Sequence, residues 1–465
     1  MKTLYLTLAI MPALTGCWRN VDNSHPPGFS PPQSWSTPTA VHIDANVTYW
    51  TKSFGDANLT ALVREAWTNS PDLSGTARMV EMAREQAVMA GADRLPQASL
   101  GLSGTRSKRN LVGFLPGKNV SFTSENYGLN MNVSWELDLW GKQSDSRKVA
   151  ETSLEASVED YRAARLSLAG QVAKAWYSAI EGRRQVELAY ETEQSHAKNA
   201  SYIAKRFERG LANALDHNLA QAALASTRAS QVRKKRQLDL ATRTLQTLLG
   251  RHPNGNETLP LELPEPRKAP PISPPVQTLE QRPDLRAKRL RMKSAGLEKT
   301  IARKNLLPSI SLTGGPGSRS QEFNDLLDQQ FRIWSVTGNL MQPIFQGGRL
   351  RANIRRTEAV RLASIDSYKA AALKAFREVE TTLASESLLQ EEEFRLKEAA
   401  KAALTAADLS WARYQRGLEG IFSTLESRRR AFEAESRLLS LKRERLLNRI
   451  DLHLALGDEA LPENP

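Results

Sequence analysis

The sequence predicts a mainly α-helical fold that also contains β-hairpins and is internally duplicated. Three observations indicate this fold class. Short motifs recur at nearly constant distances, two segments alternate apolar and polar residues, and two long runs contain no proline. Self-similarity at a fixed distance is the sequence signature of a repeated structural unit. We therefore expect two long-helix units, each with one β-hairpin.

Repeated motifs define the duplication. Pro-Asp-Leu at residues 71–73 recurs at 283–285, which is 212 residues later, and Arg-Gly-Leu at 209–211 recurs at 416–418, which is 207 residues later. Because the distance decreases by five between the two pairs, a loop in the first unit should be longer than its counterpart by that number of residues.

Residues 1–16 are predicted to be a signal peptide. One charge, Lys2, precedes an apolar run that is too short to span a bilayer. The sequence Leu-Thr-Gly-Cys at 14–17 resembles a bacterial lipobox, and Cys17 is the only cysteine. We predict cleavage before Cys17 and acylation of its thiol, which anchors a chain without spanning the membrane. Trp18 in place of Asp indicates delivery to the outer membrane.

Proline-rich segments divide the remaining chain. We predict a lipid-anchored N-terminal strap at 17–57, whose Pro- and Ser-rich part offers little to pack into a core. Repeat 1 is expected at 58–250 and repeat 2 at 277–457. A Pro-rich linker at 251–276 joins the repeats, and residues 458–465 form a polar tail.

Each repeat contains one predicted hairpin, at about 97–138 and about 309–345. Apolar and polar residues alternate from Tyr127 to Asp138, which places the apolar side chains on one face of a strand. A soluble, half-buried sheet would show the same alternation. Four strands cannot close a barrel, and lipid does not tolerate open edges. Membrane β-strands here would therefore require several chains to share one barrel. Gly314–Gly317 is predicted to be a turn.

Long helices are predicted at about 141–250 and about 348–457. Residues 141–207 and 348–414 contain no proline, so each run can form a helix about 100 Å long at about 1.5 Å per residue. Small and apolar residues form a heptad seam in the first run, at Leu168, Val172, Ala175, Ala179, Gly182, Val186 and Ala189. Neighbouring helices should therefore approach each other closely.

The second helix of each pair should begin soon after the Arg-Gly-Leu motif. Ser423 and Glu426 fit a capping box, and Asp216 is the matching N-cap in repeat 1. Gly210 and Gly417 are suited to the turns where the long helices end. The two motifs are therefore expected at the tips of two helical hairpins that point in the same direction.

These features, in this order, resemble the bacterial outer-membrane factors, the TolC-like and OprM-like channel proteins of efflux pumps and type I secretion. The motifs that match the family are Asn69–Leu73, Trp135–Lys142, Gln281–Leu285 and Gln342–Arg349. The resemblance implies a homotrimer, in which three times four strands form a 12-stranded outer-membrane barrel on a periplasmic α-helical tunnel. It also implies a periplasmic adaptor (membrane fusion) protein and a proton-driven inner-membrane pump as partners.

The resemblance also assigns candidate site residues. The adaptor-docking tips would be Arg209, Gly210, Leu211, Arg416, Gly417 and Leu418. Many family members have a small or apolar residue where this chain has the two arginines. By alignment of the Gly-Leu turns, Glu426 falls on an acidic ring of the periplasmic gate, and Asp216 and Tyr414 fall on a linking hydrogen bond. Glu426 and Asp216 fit helix caps equally well.

Other function classes fit the sequence less well. Ser195 and Lys198 match S-x-x-K but have no companion motif, and the six His residues show no ligand spacing, so we expect no enzyme, cofactor or metal site. The net charge of +13 and the run 233–236 are compatible with nucleic-acid binding, but a secretion signal favours a solvated helix face. We expect a passive exit duct for drugs or other small toxic compounds. The alternatives are a type I protein secretion duct and a periplasmic structural coiled-coil lipoprotein.

Overall fold

The computed structural model describes residues 30–37, 49–112, 119–265 and 272–462. In chain order the elements are α1 (Trp50–Ser53), α2 (Ala57–Asn69), α3 (Pro71–Ala92), β1 (Gln97–Val112), β2 (Asn119–Leu137), α4 (Lys142–Glu208), α5 (Ala214–Leu248), α6 (Pro275–Gln281), α7 (Pro283–Lys304), β3 (Ser309–Ser320), β4 (Arg332–Met341), α8 (Arg349–Gln415) and α9 (Ile421–Leu456). The mainly helical fold class is confirmed. The predicted signal peptide and Cys17 lie outside the described residues.

The two longest helices correspond to the two proline-free runs. α4 and α8 each contain 67 residues, and the helices that follow them, α5 and α9, contain 35 and 36. The first hairpin is larger than the second, because β1 and β2 have 16 and 19 residues whereas β3 and β4 have 12 and 10. The extra length in the first half therefore lies in the strands of the hairpin, and the expectation of a longer loop is wrong.

Small residues bring the long helices together. Leu168, Val172 and Ala179 of the predicted seam are buried, and α4 packs against both α5 and α9. A Cβ atom added at Gly170 would collide with the side chain of Leu454 in α9. The close approach that the seam predicts is therefore present. None of the helices in the described ranges combines the length and apolar character that crossing a bilayer requires.

The four strands form one antiparallel sheet in the order β1-β2-β3-β4, so the two hairpins lie side by side. The turn predicted at Gly314–Gly317 is wrong, because this segment lies inside β3. A Cβ atom at Gly314 would collide with the backbone oxygen of Ser335, and one at Gly315 would collide with that of Met131. The glycines thus allow β3 to run close between its two neighbouring strands.

The largest apolar core connects the N-terminal segment to the long helices. Trp50 and Phe54 are 1 % and 3 % exposed, and they belong to the same core as Tyr177 of α4 and Ile450 of α9. Both aromatic residues fall within the predicted strap at 17–57. The end of that range is therefore part of the folded body, because its aromatic side chains are buried against helices that lie far away in the sequence.

Residues 30–37 also contact the helical body. The backbone N–H groups of Ser36 and Thr37 donate to the carboxylate of Glu380 at 2.6 and 3.1 Å. The ring of Trp35 packs edge-on against Phe376, with 5.9 Å between the ring centroids. This part of the strap is therefore attached to α8.

Candidate functional site

The sheet has one apolar and one polar face, as the alternation predicts. Leu100 pairs with Met131 and Leu102 pairs with Leu129, so these side chains share a face. The same face carries Leu312, Trp334, Val336 and Leu340. The opposite face carries Ser99, Ser103, Asn130, Asn132, Thr313, Thr337 and Asn339. The two faces therefore suit two different environments.

Aromatic residues lie near both ends of the apolar face. Tyr127 and Trp135 are eight residues apart in β2, and a strand segment of that length spans about 27 Å at about 3.4 Å per residue. The residues between them on the same face are Leu129, Met131 and Val133. Outer-membrane strands present an apolar band about 25 Å tall between two aromatic girdles. A tilted strand needs about 9–11 residues to cross a bilayer, and the segment 127–135 contains nine, so the apolar face is long enough for the hydrocarbon region.

The two Arg-Gly-Leu motifs form the same turn at the far ends of the long helices. Gly210 and Gly417 have φ values of 70° and 75°, a backbone conformation that favours glycine. The Leu211 N–H donates to the Arg206 carbonyl at 2.7 Å, and the second motif makes the matching bond at 3.0 Å. This bond is characteristic of helices that end at a left-handed glycine. Both motifs are therefore helix-hairpin tips.

All of the predicted docking residues are exposed, namely Arg209, Gly210, Leu211, Arg416, Gly417 and Leu418. Two exposed apolar residues at the tips were not predicted: Leu215 is 65 % exposed and Phe422 is 70 % exposed. They lie 207 residues apart, at the same offset as the turns themselves. That shared offset is the sequence signal that identifies them.

The N-cap predicted at Asp216 is wrong. α5 begins one residue after Asn213, whose side-chain oxygen accepts the backbone N–H of Asp216 at 2.8 Å. Asn213 has the extended backbone of an N-cap, which places Asp216 inside the first turn. The Asp216 carboxylate is therefore not used as the cap of this helix.

The capping box predicted for Ser423 and Glu426 is also wrong. α9 begins after Gly420, which has the extended backbone of the N-cap. The hydroxyl of Ser423 donates to the carboxylate of Glu419 at 2.6 Å and does not cap the helix. Because the helix starts earlier than the motif suggests, both residues of the predicted box already lie inside it.

Tyr414 lies in an apolar cluster that connects the two helical hairpins. It is 7 % exposed and clusters with Ile203 of α4, Leu224 of α5 and Ile421 of α9. Burial raises the pKa of Tyr414, and the negative charge of Asp216 raises it further. Asp216 and Tyr414 therefore lie close enough for the charge of Asp216 to act on the Tyr414 hydroxyl.

The hydrogen bond predicted between Asp216 and Tyr414 does not form within the described part of the chain. Arg206 interacts with both residues instead. Its guanidinium carbon is 5.9 Å from the centre of the Tyr414 ring. A hydrogen bond to Tyr202 and the charge of Asp216 contribute to raising the pKa of Arg206. The contact between the hairpins thus includes a cation over an aromatic ring.

Glu426 is paired with two arginines. Arg429 donates to its two oxygens at 2.9 and 2.7 Å, and Arg430 donates at 2.9 Å. These hydrogen bonds lower the pKa of Glu426 to about 2. The carboxylate is therefore ionised, but neighbouring positive charge offsets it. Across the described ranges, no group of three or more His, Cys, Asp or Glu side chains is arranged to hold a metal ion.

Comparisons with known proteins agree with this architecture. The profile of the family described as outer membrane efflux protein matches residues 62–251 and 275–458. Outer membrane protein OprJ of Pseudomonas aeruginosa is 32 % identical over 430 residues, which cover 91 % of this chain and 89 % of OprJ. The probable outer membrane lipoprotein SilC of Salmonella typhimurium is 29 % identical over 471 residues, which cover 98 % of each chain.

A solved structure has the same fold. The outer-membrane channel OprN superposes with a TM-score of 0.84 at 25 % identity, and the match covers 94 % of this chain and 99 % of OprN. The profile match includes both β-hairpins and both helical hairpins. The resemblance stated from the sequence motifs is thereby confirmed. The chain belongs to the outer membrane efflux protein family and is an outer-membrane channel component of an efflux system.

Proposed function

We propose that three copies of the chain assemble into a passive exit duct for drugs or other small toxic compounds. The three sheets then form one 12-stranded barrel in the outer membrane, and the long helices continue as a tunnel into the periplasm. One observation carries the proposal: an apolar face long enough to cross a bilayer lies on a sheet whose edge strands, β1 and β4, have no partner in the described chain. Lipid does not tolerate unpaired backbone groups, so each edge pairs with a neighbouring copy.

The internal duplication supplies the parts of this assembly. Repeat 1 (58–250) and repeat 2 (277–457) each contribute one hairpin and one pair of long helices, and the linker at 251–276 joins them. α4, α5, α8 and α9 from three copies make a ring of twelve helices. The occurrence of the same element order in both halves of the chain supports this arrangement.

The lipid anchor is proposed at Cys17, after removal of the signal peptide at 1–16. Acyl chains on this residue fix the N-terminus in the outer membrane without a spanning helix. The name of the relative SilC, a probable outer membrane lipoprotein, supports the assignment.

The helical tips are the proposed docking surface for a periplasmic adaptor, which connects the duct to a proton-driven inner-membrane pump. Leu211, Leu215, Leu418 and Phe422 offer exposed apolar contacts, and Arg209 and Arg416 place positive charge next to them. Such a surface fits an adaptor with apolar and acidic side chains. The pump supplies the energy, and the duct itself carries out no chemistry. The description of the matching family, outer membrane efflux protein, supports this role, and a type I secretion duct is the alternative.

The periplasmic gate is proposed where the two hairpins meet at the tips, at Asp216, Tyr414 and Glu426. The buried Tyr414 cluster and the position of Arg206 between the hairpins support a contact that must loosen for opening. Glu426 then lies at the entrance together with Arg429 and Arg430, because both arginines form ion pairs with its carboxylate.

The experiment that tests the duct is measurement of the oligomer and its conductance. We expect the protein purified in detergent to have three times the mass of the mature chain, and to form conducting channels in planar bilayers. A monomer, or a trimer that never conducts, would contradict the duct and would favour a periplasmic structural coiled-coil lipoprotein.

A further inference from the structure

A cavity of about 360 Å³ lies on the polar face of the sheet. Two cations line it, Arg109 of β1 and Arg319 of β3, and both are exposed. Most of the other lining residues carry a hydroxyl or an amide group, among them Thr105, Ser107 and Ser124. No carboxylate belongs to the lining. The cavity therefore combines positive charge with neutral hydrogen-bond donors.

The register of the strands explains why the two arginines share this face. Arg319 pairs with Gly128, and Gly128 pairs with Ser103 on the other side of β2. Arg109 lies six positions beyond Ser103 on β1, and an even separation keeps side chains on one face. Gly128 has no side chain, so the surface between Ser103 and Arg319 stays open.

Within the described ranges, no carboxylate neutralises the positive charge at this cavity. Neither Arg109 nor Arg319 has a carboxylate within ion-pair distance among the residues that the structure describes. A third arginine, Arg106, lies on the opposite face of β1 and pairs with Glu125 at 3.1 Å. Of these three arginines, the two without an ion pair therefore lie on the polar face, and the paired one lies on the other face.

We propose that Arg109 and Arg319 form an anion-binding site that makes the duct selective for anionic solutes near its exit. This inference rests on the proposed trimer, in which three copies bring six guanidinium groups around one lumen. Rings of charged side chains determine ion selectivity in pores. Guanidinium groups are suited to carboxylate and phosphate oxygens, which they bind through paired hydrogen bonds. The favoured solutes are small molecules that carry carboxylate, sulfonate or phosphate groups.

The test is the reversal potential of the purified trimer in planar bilayers under a potassium chloride gradient. The dilute side is kept near 0.01 M, where charges act over about 30 Å. We expect the wild-type channel to prefer chloride over potassium. In the double variant Arg109→Gln with Arg319→Gln, that preference should fall by about threefold or more, because the ring of charge is lost. The double lysine variant should retain it.

Arg106→Gln is the matched control for the single variant Arg109→Gln, since it removes one positive charge from the same strand on the opposite face. The two single variants, Arg109→Gln and Arg319→Gln, should give intermediate values and guard against a folding defect in the double variant. A conducting channel whose selectivity is the same in the wild type and the double variant overturns the anion site alone. A protein that forms no channel in any variant overturns the proposed duct as well.

Discussion

Arg206, near the end of α4, lies over the ring of Tyr414, near the end of α8, with its guanidinium carbon 5.9 Å from the ring centroid. Arg206 also donates to the Leu211 carbonyl at 3.3 Å, so it contacts its own turn and the neighbouring hairpin together. A cation–ring contact contributes about 0.5–1 kcal/mol when exposed and about 2 kcal/mol when desolvated. One side chain thus connects both hairpins at the proposed gate.

We expect Arg206→Gln to raise the basal conductance of the purified channel more than Tyr414→Phe does. Arg206→Gln removes the cation, whereas Tyr414→Phe keeps the aromatic ring beneath the Arg206 guanidinium. The Tyr414 hydroxyl also forms no hydrogen bond to Asp216 that Tyr414→Phe could remove. Single-channel recording measures the difference. Arg209→Gln serves as the control, since it removes an exposed tip cation nearby. If Arg206→Gln conducts like the wild type, the gate does not depend on this contact.

Met131→Arg should prevent assembly in the outer membrane, whereas Asn132→Arg should be tolerated. Met131 lies midway between Tyr127 and Trp135 on the apolar face, and an arginine at mid-bilayer costs about 2–4 kcal/mol per copy. Asn132 lies on the polar face, where a charge remains hydrated. The amount of folded protein in the outer-membrane fraction measures both effects. Equal losses in the two variants would contradict the assignment of the faces.

The stability of the folded chain should decrease between neutral and mildly acidic pH through His453. Its ring stacks on Trp50, its Nδ1 lies 2.7 Å from Asp458, and its Nε2 lies 3.3 Å from the hydroxyl of Ser53. Burial lowers the pKa of His453; Asp458 opposes this shift, and the positive charge of Arg449 adds to it. The folded pKa therefore lies below the ordinary value of 6.5, and the unfolded chain binds the proton more tightly.

The contribution of His453 to stability is accordingly complete above about pH 6.5 and is lost as the pH falls towards its folded pKa. We expect a lower Tm at pH 5.5 than at pH 7.5, and a smaller difference in His453→Gln. The exposed His252 provides the control variant His252→Gln, which should keep the wild-type difference. An unchanged pH dependence in His453→Gln would show that other groups cause it.

Cys17→Ser should abolish labelling of the protein by radioactive palmitate and leave the N-terminus unprocessed or differently processed. Because the strands also hold the assembly in the membrane, we expect part of the efflux activity to remain. Mass spectrometry of the mature N-terminus checks the lipid independently of activity. A wild-type protein without acyl chains would exclude the lipobox.

Features that depend on neighbouring residues in the chain are predictable from the sequence. The alternation from Tyr127 to Asp138 identifies the two faces of β2, because each side chain's face depends only on its position along the strand. The absence of proline and the heptad spacing likewise identify α4 and α8, which end at the predicted turns Gly210 and Gly417. The residue types within each segment, and their spacing, are sufficient to identify these features.

Features that depend on distant partners are not predictable in this way. Gly314 and Gly315 resemble turn residues in the sequence. The reason for glycine at these positions is the close approach of Ser335 and Met131 on the neighbouring strands, which the sequence does not show. The position of Trp50 in the core depends on helices hundreds of residues away.

The prediction of a capping box at Ser423 and Glu426 is wrong because of contacts within the same turn of the chain. A serine in the first turn of a helix resembles a serine at its N-cap, and the choice depends on which partner the hydroxyl finds. Here Ser423 donates to Glu419. The backbone of Gly420 then takes the cap position, which no side-chain motif indicates.

α4 and α8 follow directly after Gly141 and Gly348, where φ is 69° and 82°, and each continues for 67 residues without a break. Such a rod acts as a lever arm. Taking about 1.5 Å per residue, a rotation of about 3° at the glycine end displaces the tip by about 5 Å. In the proposed duct, a rotation of this size at the glycine end would therefore change the width of the entrance by about the size of a small solute.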